Sequence, residues 1–253
     1  MLDFKTRFVN YQEMWFGMEN VGETLDFIRL FQSNCPINKS YWYPFYTLII
    51  NLNDQLENLF SEIKKGTRYE IKRAQTSDNL RYAFWCGSDV LMVMDEFFDF
   101  YDDFSKQKGL ISINREWARK YAKEGFLNIS RVSDCDDRNL VWHTYYADKK
   151  RARLLHSASL FRNFNDARER QLVGRANRFH HWQDILTLKE MNYSLYDFGG
   201  WYHGEEDTAK LQINRFKEEF GGKLVQNYNC DIGLSMKGKL YLFLRNVIKH
   251  TDR

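Results

Sequence analysis

The chain has 253 residues, of which 43% are hydrophobic and 28% charged, and its formal net charge is only +3. This balance is typical of a soluble globular protein with room for a sizeable core, and so small a net charge excludes the general basic field of a DNA-binding protein. The four scattered cysteines form no CxxC pair and the first ten residues lack the apolar segment of a signal peptide, so we expect a cytoplasmic protein without disulfides or a cysteine-bound metal.

The N-terminal part is predicted to contain two pieces. Residues 1–44 mix short apolar and polar runs and are expected to form an N-terminal extension packed on a single domain over residues 45–253. That domain begins with Phe45–Leu52, an apolar run rich in aromatic and β-branched residues, which predicts a buried strand. Apolar residues then recur at helical spacing over 55–65, and a further helical segment begins at 68–74.

The middle of the chain predicts two helices followed by an antiparallel meander. Val90–Lys108 is strongly amphipathic, and a second helix is predicted over Arg115–Lys123. The period of the apolar residues then changes to that of strands, which are predicted at Phe126–Val132, Leu140–Ala147 and Arg153–Leu160. Because the turns between these strands are short, neighbouring strands must be antiparallel.

The rest of the chain alternates helices and strands. The predicted elements are a helix over Gly174–Asn192, a strand over Ser194–Phe198, a helix over Thr208–Phe220, a strand over Leu224–Asp231 and a last helix over Leu240–Lys249. A meander followed by a helical crossover to a further strand resembles the arrangement of the GNAT acyltransferases. The resemblance implies an α/β (α+β) fold in which helices flank a mixed, mostly antiparallel central sheet, with an acyl donor bound at the crossover.

The segment just before the predicted crossover helix carries a candidate donor site. Gln171, Gly174 and Ala176 match the spacing of the pyrophosphate loop in acyl-CoA-dependent GNAT enzymes, which these residues resemble. Small residues would let the backbone approach the phosphates, the first amides of a helix would donate to them, and Arg175 would add charge. The alternative is an ordinary helix N-terminus.

Four segments in order give a more specific resemblance. They are Arg68–Ala74, a basic helical stretch; Ala176–Ile185, which contains Asn, His and Trp; Tyr196–Gly200, which reads Tyr-Asp-Phe-Gly-Gly; and Phe216–Gly222, which ends Phe-Gly-Gly. Together they are similar to the Fem family, the peptidoglycan-bridge aminoacyltransferases. Full-length Fem enzymes resemble two GNAT domains in tandem, whereas this chain has room for one domain and an extension.

The resemblance assigns roles to several residues. Lys217 matches the Fem lysine beside the donor phosphate and the developing negative charge, and Arg68 with Arg73 would grip an anionic substrate. Asp197 precedes Gly199 and Gly200 at a strand end, where it would accept a proton, orient the acceptor or simply cap the turn.

Two further groups are considered as candidate site residues: those that follow this strand end, and two adjacent histidines. Trp201, Tyr202 and His203 follow the Gly-Gly pair at once and would line an acceptor pocket. His180 and His181 point about 100° apart on a helix, so we interpret them as packing and surface residues rather than metal ligands, and we expect no metal.

These observations predict an N-acyltransferase. It would move an acyl group from an acyl-CoA donor to an amine of a sugar or cell-envelope precursor, because the modest net charge argues against the broad basic surface that tRNA requires. Two alternatives are an aminoacyl-tRNA-dependent transferase of Fem type and a non-catalytic GNAT-like module that binds a partner. The sequence makes no prediction of the oligomeric state.

Overall fold

A computed structural model describes residues 1–18, 21–22, 24–148 and 150–251, the last three of these in backbone only. The strands of this part of the chain are β1 (Leu2–Lys5), β2 (Asn10–Trp15), β3 (Phe27–Ser33), β4 (Tyr41–Asn51), β5 (Arg81–Trp85), β6 (Leu127–Ser133), β7 (Asn139–Ala147), β8 (Arg151–Ser159), β9 (Leu195–Gly200) and β10 (Lys223–Gly233). The α-helices are α1 (Leu56–Glu62), α2 (Lys65–Ser77), α3 (Val90–Lys108), α4 (Arg115–Lys123), α5 (Ala167–Glu190), α6 (Thr208–Glu218) and α7 (Met236–Thr251).

The predicted mixed architecture with mostly antiparallel strands is confirmed. β1 pairs with β2, β3 with β10, and β5, β6, β7 and β8 pair in succession, all antiparallel, whereas β2–β3 and β8–β9 are parallel pairs. Among the described residues, no helix is both long enough and apolar enough to cross a membrane.

The chain divides into two compact units. Residues 1–47 together with 224–253 form unit 1, and residues 48–223 form unit 2. The sequence predicted a different division, with an extension over 1–44 and one domain over 45–253. The difference arises because β10 pairs with β3 from Tyr228↔Ser33 to Gly233↔Phe27, which groups the C-terminal segment with the N-terminal one.

Unit 1 is built on the strand order β1-β2-β3-β10. Met14, Ile28, Leu30 and Cys230 form its buried apolar cluster. The helix α7 is held by a second cluster, in which Leu242 packs with Val9 and Phe27.

Unit 2 has the strand order β9-β8-β7-β6-β5, with the last four residues of β4 (48–51) in the same unit, and helices lie on both faces of its central strand β7. Along β7, Val141 packs with residues of α5, while its neighbour Trp142 contacts Phe97 of α3. Successive strand residues point to opposite faces, so this alternation covers both faces, and β7 is buried along nearly its whole length.

The four segments that resemble the Fem family meet in one apolar cluster of unit 2. Ile71 of α2, Trp182 and Ile185 of α5, Tyr196 and Phe198 of β9, and Phe220 after α6 are all buried members of it. Much of the sequence resemblance therefore reports how α2, α5, β9 and α6 pack together.

Most predicted elements are confirmed, with shifts at their ends. The helices Val90–Lys108 and Arg115–Lys123 have the predicted bounds, and the three meander strands are present. β4 starts earlier than predicted, at Tyr41, and α5 starts at Ala167, seven residues before the predicted Gly174. The sequence reasoning missed β5, which pairs with β6.

Candidate active site

In unit 2, β8 and β9 pair in parallel over only part of their length. Regular pairing covers three positions, from Arg151↔Leu195 to Arg153↔Asp197, although β8 continues to Ser159 and β9 to Gly200. The register of the β7–β8 ladder shifts between Thr144 and Tyr145 of β7, as in a β-bulge. A bulge bends its strand and ends regular pairing, and such features are common beside active sites.

Gly199 follows this point on β9 and has a conformation that requires glycine. Its φ is +69°, and a Cβ built on it would lie 2.6 Å from the backbone oxygen of Leu154. An L side chain would be strained in that backbone conformation and would collide with the neighbouring strand. The Gly-Gly pair of the sequence motif therefore brings the end of β9 close to β8.

Arg151 and Asp197 form a buried ion pair at the start of the candidate site. Both nitrogens of the guanidinium edge donate to Oδ2 of Asp197, Nε at 2.9 Å and Nη2 at 2.7 Å. The other carboxylate oxygen accepts from the backbone N–H of Gly199 at 2.8 Å. Of the three roles predicted for Asp197, this geometry matches the capping of the turn, because both of its oxygens are engaged.

Lys217 lies on α6 and reaches back to the end of β9. Only 7% of its surface is exposed, so it is not an ordinary exposed helix lysine. Its Nζ donates to the backbone oxygens of Gly199, at 3.3 Å, and of Gly200. Burial lowers the pKa of Lys217 to about 8, an effect that Asp197 opposes and Arg153 reinforces.

The candidate site is rich in basic side chains. Arg153, which pairs directly with Asp197 in the ladder, is the third basic side chain beside that one carboxylate. Burial lowers the pKa of Arg153, but a guanidinium stays charged at physiological pH. Lys217, Arg151 and Arg153 therefore lie together around the Asp197 carboxylate where the β8–β9 ladder ends.

The loop after β9 is fixed to the same helix that carries Lys217. The Asn214 side chain donates to the Tyr202 backbone oxygen at 2.7 Å and accepts from its N–H at 3.1 Å. Trp201 packs partly buried against the apolar cluster, and His203 is exposed. The structure therefore brings the three predicted acceptor-pocket residues to the strand end where Lys217 is bound.

The predicted phosphate loop is wrong as a local structure. Gln171, Gly174, Arg175 and Ala176 lie inside α5, so their amides are engaged in the helix and cannot cradle a phosphate. Arg175 forms a bidentate ion pair with Asp78, and Ala176 is buried in the core. The sequence held a better start signal, since Asp166 followed by Glu169 has the spacing of a capping box, and the Asp166 side chain does cap the helix.

The two arginines predicted for an anionic substrate differ in their surroundings. Arg68 donates to the backbone oxygens of Ser61 and Ile63, at 2.6 and 2.7 Å, and so satisfies the C-terminal end of α1. This is a structural role that the prediction missed. Arg73 is exposed on α2.

A buried polar network that the sequence reasoning missed lies between β7 and α5. The Asp184 carboxylate accepts from Tyr145 at 2.6 Å and from Tyr82 at 2.9 Å, and lies 2.7 Å from Nδ1 of His143. His181 Nδ1 lies 2.6 Å from the Tyr196 hydroxyl. The signal was the polar set His180, His181 and Asp184, which lies among the apolar residues Phe179, Trp182 and Ile185 of the same helix.

Both adjacent histidines are buried, which corrects the part of the prediction that placed one at the surface. Burial lowers the pKa of His180 and of His181 well below the usual value, so both are neutral at physiological pH. One potential ligand atom from each of His143, His181 and Asp184 lies within 4.8 Å of the others, and all three side chains take part in the hydrogen bonds of this network.

The meander, the bulged strand, the short parallel pair and the helix between its strands define a GNAT-like fold. Solved structures confirm this class. The chain is similar to the structure of FemX, with a TM-score of 0.62 and 11% identity over 87% of this chain and 75% of that one. It is also similar to the C-terminal domain of a putative lysylphosphatidylglycerol synthetase from Agrobacterium fabrum, with a TM-score of 0.56 and 15% identity over 88% and 72%.

A third similar structure is that of L-PGS from Bacillus licheniformis, with a TM-score of 0.51 and 11% identity over 87% of this chain and 72% of that one. No family model matches the chain, and no curated protein matches it in sequence. The resemblance to the Fem family and the wider GNAT class is thus confirmed at the level of the fold.

Proposed function

We propose that the protein is an N-acyltransferase that moves an acyl group from an acyl-CoA-type thioester to an amine of a sugar or cell-envelope precursor. The observation that carries the proposal is the buried Lys217 ammonium, held by two backbone oxygens where the β8–β9 ladder ends. A buried cation with a shifted pKa, at a point where a sheet opens, is a candidate functional group.

Lys217 has the chemistry to stabilise the transition state. An ammonium has three N–H donors, and the oxygens of Gly199 and Gly200 engage two of them. The third is left to donate to the oxyanion that forms when the amine attacks the carbonyl. With a pKa of about 8, the group is mostly protonated at pH 7, and its low exposure strengthens the interaction with developing charge.

The other charged residues position this lysine and attract the donor. Asp197 holds Arg151 and the Gly199 amide, which fixes the backbone whose oxygens bind Lys217. The basic side chains of Arg151 and Arg153 beside Lys217 suit a donor that carries phosphate groups. Trp201, Tyr202 and His203 line the side from which the amine approaches.

The donor is the point on which the two transferase hypotheses differ. The overall charge of +3 gives no broad basic surface for tRNA, which supports a thioester. The similarity to FemX and the four Fem-like segments support an aminoacyl-tRNA donor instead, and this is the second candidate function.

Native mass spectrometry of the purified protein, followed by turnover assays, separates these hypotheses. One assay measures thiol release from acyl-CoA with a panel of amino sugars, and the other measures transfer from labelled aminoacyl-tRNA to the same amines. Thiol release that depends on the amine supports the proposal, and transfer from tRNA alone supports the second candidate. A protein that turns over neither donor contradicts both and favours a binding module.

Replacing Lys217 with methionine tests the role of the ammonium directly. Methionine keeps most of the apolar stem, and we expect kcat to fall roughly a hundredfold with little change in KM, a usual loss for one electrostatic donor. Arg215→Met, on the same helix but exposed, is the matched control and should keep its activity. A rise in KM at constant kcat would make Lys217 a binding residue.

A further inference from the structure

The outward face of α7 in unit 1 is apolar from Met236 to Ile248. Six large side chains expose between 47% and 81% of their surface, namely Met236, Leu240, Phe243, Leu244, Val247 and Ile248. Their spacing of three and four residues places them on one side of the helix. Soluble proteins rarely leave so large a contiguous apolar patch open unless it binds something.

The opposite face of the same helix is firmly attached to unit 1. Leu242 is buried against Val9 and Phe27, and Gly238 lies so close to the Asp26 backbone that no Cβ would fit there. The apolar residues on the outer face therefore do not belong to the core of this unit, and the rotation of the helix is set by the buried face.

The charges of α7 indicate the chemistry of its partner. The helix contains lysines and an arginine but no Asp or Glu. Lys237 pairs with Asp26 at 2.9 Å and Arg245 with Asp231 at 3.1 Å, both carboxylates of unit 1 itself. Lys237 and Lys239 flank the apolar face on its two sides. Two such helices packed face to face would bring lysines together without a carboxylate from either helix between them, which disfavours self-association.

We propose that α7 binds the surface of a bilayer that contains anionic lipids. An apolar face flanked by lysines is the pattern of a helix that lies in the plane of the membrane interface, where the lysine stems reach up to the head groups. The helix has 16 residues and so measures about 24 Å, less than the roughly 30 Å of a hydrocarbon core, which fits a helix on the surface. This placement would bring the chain to lipid-linked or membrane-proximal molecules.

Vesicle sedimentation with the full chain tests the proposal. The probes are sucrose-loaded vesicles of phosphatidylcholine alone and of phosphatidylcholine with phosphatidylglycerol. We expect the protein to sediment with the anionic vesicles, to bind the zwitterionic ones at least tenfold more weakly, and to be released as the salt concentration rises.

Three variants make the test specific. Leu240→Glu and Phe243→Glu should each abolish sedimentation, while Lys239→Glu should weaken it roughly tenfold for anionic vesicles only. Ile111→Glu changes an equally open apolar residue between α3 and α4, 92% exposed, and should bind like the parent. Because these side chains are exposed, the variants should keep the parent's thermal melting curve.

Two results would overturn the proposal. One is a protein that stays in the supernatant with both vesicle types. The other is a concentration-dependent dimer that Leu240→Glu converts to a monomer, without any binding to vesicles. Neither outcome depends on the transferase activity, so the membrane proposal and the proposed function can fail separately.

Discussion

Lys217→Met also tests whether the lysine is held in a desolvated site, because it removes the charge and leaves most of the side-chain volume. In the folded protein, burial lowers the pKa of Lys217 from 10.5 to about 8. The difference corresponds to roughly 3 kcal/mol by which folding disfavours the protonated form. The same site is where we place the developing negative charge, so this free energy is linked to the proposed catalytic role.

The sign of the pH dependence follows from proton binding. Between about pH 8 and 10.5 the unfolded chain holds the lysine proton and the folded chain does not, so wild-type stability rises with pH in this window. Below pH 8 the full unfavourable contribution is present. The variant has no such proton, and it should therefore gain stability relative to the wild type at neutral pH and lose that advantage above pH 10.

The stability that the variant gains at pH 7 is smaller than the whole free-energy difference that follows from the pKa shift. The backbone oxygens of Gly199 and Gly200 lose a donor in the variant, at a cost of about 1–3 kcal/mol. We expect Lys217→Met to be roughly 0–2 kcal/mol more stable than the wild type at pH 7, even though its activity is lost. The change of this stability difference with pH does not depend on the hydrogen bonds that are lost.

Urea unfolding followed by tryptophan fluorescence at several pH values between 7 and 10.5 measures both quantities. The stability difference between variant and wild type should change by roughly 3 kcal/mol across the range, while Arg215→Met controls for the loss of one positive charge from α6. A difference that stays constant with pH would show that Lys217 is not desolvated in the folded protein. Lys217 would then lack the desolvated surroundings on which its proposed catalytic role depends.

Three further substitutions test the site and the fold in the same assay. Gly199→Ala should lower the free energy of unfolding by about 2 kcal/mol or more, because its Cβ would lie 2.6 Å from the Leu154 oxygen at a φ of +69°; an unchanged value would mean that β9 does not approach β8 so closely. Gly174→Ala should raise stability by about 0.5–1 kcal/mol without weakening donor binding, since residue 174 is an open position inside α5. Weaker donor binding in this variant would support a phosphate site at Gly174. Asp184→Ala should lower stability by about 3–5 kcal/mol, because the Tyr82 and Tyr145 hydroxyls lose their acceptor and the buried His143 ring loses its partner; a smaller loss would indicate that water replaces the carboxylate.

The sequence predicted those elements whose pattern is set by one solvated face. Val90–Lys108 and Arg115–Lys123 each expose polar residues on one side, so their apolar periodicity marks their bounds. β5 lacks such a pattern. Tyr82 and Phe84 point towards the clusters beside α5, while Trp85 stacks with Trp142 on the other face, so no alternation marks the strand.

The candidate site was predicted in part, and the errors have a common cause. Lys217, Asp197 and the loop from Trp201 lie together at the end of β9. Asp197 and the loop were predicted there from their positions around Gly199 and Gly200, whereas Lys217 was predicted only from the resemblance to the Fem family. The prediction of a phosphate loop was wrong because a Gly-x-Ala pattern occurs inside helices as well as at their starts, and this helix is capped by Asp166, eight residues before Gly174. Arg68 was misjudged because only the folded structure shows the carbonyl groups at the end of α1 that it satisfies.

The assembly of unit 1 from both ends of the chain has a consequence for folding during synthesis. Residues 48–223 form unit 2 as one continuous stretch, so all of its contacts are available before β10 has emerged from the ribosome. The parallel pair β2–β3 must wait for its partner, since Ile28 pairs with Ile232 at the far end of the chain. Until then an apolar strand edge stays open, which is a site for mispairing between nascent chains. Closing so long a loop is slow, so unit 1 should be the last part to fold and the part most dependent on chaperones.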